Sequence, residues 1–172
     1  MNRITEFLTW LGRKKPTVQD INQANEGINL NYYFEELQKM VVILSSPADA
    51  QIEAMGYGNV GEEMAIDFNM SYPDKKAELT EAGLITKAEV AALEELDASF
   101  PDSKVVDEDF WFDQQRLYTD PYWEVIRNKA MAARTAMGLA EVRLKVVVDE
   151  GKPDENGLQM IRIQIRLEGI EK

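Results

Sequence analysis

Two carboxylates four residues apart, Asp109 and Asp113, follow closely on Asp107 and Glu108. On one helix face such a pair can ligate Mg²⁺ or Ca²⁺, and paired carboxylates also serve glycoside hydrolysis. Little other chemistry is open to the chain, which has no histidine and no cysteine. That removes thiolate nucleophiles, disulfides, Cys- or His-ligated metals and every Ser-His-Asp or Cys-His arrangement. The acids also have a simpler account: they stand at a predicted helix start, where the macrodipole stabilises negative charge without any function.

Two further patterns resemble ligand sites and fail on context. Gly56-Tyr57-Gly58-Asn59-Val60-Gly61 has the glycine spacing of a dinucleotide-binding turn, but that turn must follow a strand and open a helix. Here a helix is predicted before it and a strand after it, and Glu62 and Glu63 would face the phosphates. Asp149 to Gly157 resembles a calcium loop but lacks the Asp/Asn register and the closing glutamate. No cofactor or metal is expected.

The densest feature is the segment 107–124. Phe110, Trp111, Phe112, Tyr118, Tyr122 and Trp123 put six of the chain's 15 aromatics into 14 residues. Asp107, Glu108, Asp109, Asp113, Asp120 and Glu124 are interleaved with them. Aromatic anchors rimmed by one sign of charge have the composition of a binding hot spot for a basic partner. The opposing reading is a buried face, because Trp111, Tyr118 and Tyr122 fall on one helical stripe.

The elements that position these residues are read from periodicity. Ile4, Phe7, Leu8 and Leu11 predict a helix over 3–14, and a Thr17-x-x-Asp20 box begins a short one ending at Gly27. A third helix covers 32–44, although Val41 to Leu44 also suits a strand. Ser46-Pro47-Ala48-Asp49 reads as a serine-capped helix start with proline at its first position, and Gly56 stops that helix. Met64, Ile66, Phe68 and Met70 alternate with polar or small residues, predicting a strand near 63–71. Short helices follow over 74–82 and, behind a Thr86/Glu89 capping box, over 87–99. Further helices are predicted from Glu108 to Tyr118 and from Asp120-Pro121 to Met137.

The C-terminus reads as an antiparallel hairpin, 142–148 with 158–167, joined by the polar stretch Asp149–Gly157. Val142, Leu144, Val146 and Val148 face Ile161, Ile163, Ile165 and Leu167 inward, while Arg143, Lys145, Arg162 and Arg166 point outward. Residues 1–172, with no linker or repeat, are therefore expected to form one helix-rich α+β domain. Its small antiparallel sheet would combine the 63–71 strand and the hairpin, packed against helices.

Charge completes the reading. Nineteen basic residues against 31 acidic ones give a net charge of −12, and residues 74–124 hold 14 acids and five bases. Such a surplus opposes binding to nucleic acid or anionic lipid and favours a basic partner. Neither a secretory h-region nor an apolar run long enough to span a membrane is present, so a cytoplasmic location is expected. The class these features fit is a non-catalytic protein-binding module, of the type of bacterial immunity proteins that neutralise a basic toxin or effector. A carboxylate-based or divalent-metal-dependent enzyme and a phage-type nucleic-acid mimic are the alternatives.

Overall fold

A computed structural model describes residues 18–56, 58–102, 104–150 and 161–169. The predicted helix over 3–14 and most of the hairpin connection lie outside them. The chain divides into two compact units, Met1–Tyr32 and Tyr33–Lys172. In the first, residues 18–32 are helical; they belong to α1, Val18–Leu44. The expected stop at Gly27 is corrected, because one interior glycine costs a helix only about 1 kcal/mol. Residues 41–44 are helix, not strand.

In the second unit the end of α1 is the centre of the core, with Leu37, Met40, Val41, Val42, Ile43 and Leu44 all buried. Its last turn is closed by serines: Ser45 and Ser46 both donate their hydroxyls to the Val42 carbonyl, at 2.9 and 2.7 Å. Ser46 is thus spent on α1 and does not cap α2, Ala48–Met55, whose N-cap is Pro47. Buried Gln51 on α2 donates Nε2 to the Leu44 carbonyl at 3.1 Å, tying the two helices together. Gly56 ends α2 at φ 80°.

The segment expected to be a strand near 63–71 is helix α3, Val60–Ser71. Val60, Gly61, Met64, Phe68 and Ser71 are buried, a period of three to four, while Ile66 and Met70 are half exposed. Within 62–71 only Ile66 is β-branched, and Glu62 and Glu63 occupy the first turn, where the helix dipole favours them. Local propensity therefore prevailed over the alternation of apolar residues.

The middle of the chain follows expectation more closely. Helices α4, Lys76–Glu81, and α5, Lys87–Asp97, are separated by Gly83 at φ 69°. Thr86 and Glu89 form the reciprocal capping box at the start of α5. The single helix expected over 108–118 is instead two short ones, α6 (Asp109–Phe112) and α7 (Arg116–Thr119). Asp113 breaks it: its backbone is extended, at ψ 109°, and its carboxylate accepts from the Gln115 N–H at 2.9 Å. Helix α8, Pro121–Ala136, starts at Asp120, which accepts from the Tyr122 N–H, with proline at its first position. It packs along α5, where an ion pair joins Lys129 to Glu95.

Strands β1, Val142–Glu150, and β2, Ile161–Gly169, pair antiparallel with Leu144 opposite Leu167 and Val146 opposite Ile165. The sheet has these two strands alone among the described residues and packs against helices. Gly56 marks the contact: a Cβ there would fall 2.6 Å from Ile163 Cδ1. Arg134 at the end of α8 fixes the hairpin's start, donating to the carbonyls of Leu139 (3.0 Å) and Val142.

The inward face is less covered than the alternation implied. Val142 and Val146 are half-buried, and Val148, expected inside, is 54% exposed. Lys145, on the outward face with Arg166, pairs with Glu168 of β2 at 2.7 Å; the Arg162 side chain lies outside the described ones.

Candidate functional site

The aromatic segment folds back on itself. Phe110 and Trp123 are buried and stacked, with ring centroids 5.1 Å apart and planes at 10°. Trp123 Nε1 donates to the Phe110 carbonyl at 3.3 Å, so the indole has a partner for its polar edge. Trp111 is half-buried and stands edge-on to both rings. Tyr122 meets Phe110 edge-on at 6.2 Å and keeps 40% of its surface exposed. Tyr118, 46% exposed, donates its hydroxyl to Asp49 of α2 at 2.6 Å, which raises the tyrosine's pKa. Two rings are thus foundation, Trp111 and Tyr122 lie edge-on against them with part of their surface exposed, and Tyr118 is tied to α2 instead.

The acids divide similarly. Arg116 bridges Asp107 at 2.9 Å and Asp120 at 3.2 Å. Asp107 also accepts from the Phe110 N–H, Asp113 from Gln115 and Asp120 from Tyr122. These three carboxylates therefore shape the turn between α6 and α8. Glu108, Asp109 and Glu124 are exposed. Because the chain turns at Asp113, Asp109 and Asp113 do not share a continuous helix face as the metal reading required. Among the described residues no group of three or more Asp or Glu is placed to hold a metal ion.

The glycine pattern at 56–61 joins two helices, where a strand was expected on its far side. Gly61, in the first turn of α3, lies against the Trp111 carbonyl and the Trp123 ring. Gly58 accepts at its carbonyl from Gln114 Nε2 at 3.3 Å. The glycines bring α3 close to the aromatic segment, and this creates a feature the sequence did not reveal. Ile66 and Met70 of α3, with Phe100, Trp111 and Phe112, line a groove of about 460 Å³. The available signal was the poor strand propensity of 62–71; a helix there necessarily turns two of its four alternating apolar residues outward.

Asp67 on α3 and Asp97 on α5 have carboxyls whose pKa values are raised. Partial burial, then Glu63 and Glu36, raise the pKa of Asp67; partial burial raises that of Asp97, with Lys76 opposing and Glu94 adding. A carboxyl whose folded pKa exceeds its unfolded value destabilises the fold once ionised, so stability falls as pH rises through that window. Asp67→Asn is accordingly expected to raise Tm at neutral pH and to bring no gain near about pH 3, where both states are protonated. Thermal melts of both proteins at the two pH values check this; an equal shift at both would remove the electrostatic explanation.

Among the described residues no helix is long and apolar enough to cross a membrane. No family model matches the chain, and no curated protein or solved structure is significantly similar to it.

Proposed function

We propose that this chain is a non-catalytic protein-binding module that meets a basic partner through the exposed part of segment 107–124. The observation that supports this most is the two-layer packing of the segment. Phe110 and Trp123 fix the backbone from inside, Trp111 and Tyr122 pack edge-on against Phe110 with their rings partly exposed, and Tyr118, Glu108, Asp109, Asp113 and Glu124 of the same segment are exposed. Rings already held in place lose little conformational freedom when a partner covers them, which is what makes such residues effective anchors. Trp123 offers no surface and supports the site from below.

The finer reading is an immunity-type protein of bacterial origin, acting in the cytoplasm on a basic toxin or effector. Its support is the net charge of −12 and its concentration in 74–124. Acidic faces accelerate encounter with basic partners and discriminate against acidic ones.

Kinetics with a partner captured on the immobilised chain test the proposal. Association should slow steeply as salt rises and the Debye length falls below about 10 Å. Asp109→Asn with Asp113→Asn should slow association more than it alters dissociation. Trp111→Ala should speed dissociation, costing about 2 kcal/mol of affinity, while the folded fraction stays near that of the parent. Salt-independent association, or full affinity in the Trp111 variant, would refute it.

A further inference from the structure

We infer that the groove between α3 and the 109–112 turn receives one amphipathic helical segment of the basic partner, its apolar side chains against Ile66 and Met70 and its Lys or Arg side chains against Glu62 and Asp97. This rests on the protein-binding reading and adds to it a place and a chemistry for the contact.

The groove follows from the helical form of α3. Residues 64, 66, 68 and 70 would share one face of a strand, but on a helix they separate into two pairs four apart. Met64 and Phe68 are buried; Ile66 and Met70 remain 49% and 51% exposed, one turn apart. Across from them stands Phe112, 43% exposed, and Phe100 stacks on Phe68 at 5.5 Å. A pocket for a small ligand encloses most of its occupant. These half-exposed walls would leave a small molecule largely in water, whereas a protein surface can cover them. An α3 ridge with apolar residues at i and i+4 matches a helix carrying its own anchors at i, i+3 or i+4 and i+7.

Charge selects the occupant. Among the described residues the groove's charged lining is Glu62 and Asp97, with no Lys or Arg. A basic flank would meet them favourably and an acidic one would be repelled. A second copy of this chain is disfavoured for the same reason, since each copy carries −12.

The full-length chain is titrated calorimetrically with a synthetic Leu/Lys helical peptide, leucines at i, i+3, i+4 and i+7, and with its Leu/Glu counterpart. Amide shifts locate the contact. The Leu/Lys peptide should bind at least about tenfold more tightly, shifting residues 62–70 and 97–100. Ile66→Ser with Met70→Ser should weaken it by about tenfold or more. Val125→Ser with Met131→Ser, which removes comparably exposed apolar residues of α8, should not. Asp97→Asn should weaken binding without lowering Tm, which separates loss of charge from loss of fold.

Equal loss in the α8 variant, or equal affinity for the two peptides, would overturn the inference. So would self-association abolished by the Ile66/Met70 variant, because a second copy would then be the occupant. Shifts confined to 118–124 would reject the groove and leave the wider binding surface standing. The wider reading fails separately, by the salt and Trp111 kinetics.

Discussion

Trp123→Ala is expected to lose about 3–5 kcal/mol of stability, seen as a large drop in the denaturant midpoint. Trp123 has no exposed surface, so its truncation removes a whole buried ring and leaves a cavity that the neighbouring helices can only partly close. Its stacking on Phe110 and its edge contact with Trp111 disappear with it. The Phe110 carbonyl loses the indole N–H, and an unsatisfied buried acceptor adds its own penalty. Trp123→Phe should recover part of the loss by refilling volume without restoring that bond. Any binding defect in the alanine variant should follow the folded fraction, unlike Trp111→Ala. A midpoint close to the parent's would mean that the ring does not carry the core around α6 and α8.

Gly61→Leu is expected to cost about 3 kcal/mol, the upper part of the usual range for overpacking a filled site. Replacing glycine in a helix ordinarily stabilises it, by up to about 1 kcal/mol. At this position the sign reverses. A Cβ would lie 2.8 Å from the Trp111 carbonyl oxygen and 2.9 Å from Trp123 Cζ2. The first is backbone and the second belongs to a fully buried ring, so neither can give way cheaply. Gly61→Ala should show a smaller loss in the same direction. Because the displaced atoms belong to Trp111 and Trp123, the substitution should also alter tryptophan fluorescence. A neutral or stabilising Gly61→Ala would show that α3 does not approach the aromatic segment as closely as the packing requires.

Signals confined to a few neighbouring residues were legible in the sequence. Thr86 and Glu89 cap α5 through bonds three residues apart, and Asp120-Pro121 starts α8 through one bond and a fixed φ. The hairpin was legible because its two alternating runs define one face each, although its pairing extends to Glu150 and Gly169. Composition alone established the acid surplus and removed His- and Cys-based chemistry. The alternation of 64–70 was ambiguous, since a helix satisfies it as well as a strand once half of its apolar residues can face a groove. The low strand propensity of 62–71 favours the helix, and the close packing of Gly61 against Trp111 and Trp123 accommodates it. The sorting of 110–123 into inside and outside was a tertiary matter. One continuous helix would have put Trp111, Tyr118 and Tyr122 on a buried stripe, but the turn at Asp113, held by Gln115 and by Arg116 between Asp107 and Asp120, sends Phe110 and Trp123 inward instead. Burial is decided by contacts between residues far apart in the chain, and no local pattern within this segment encodes which ring will find them.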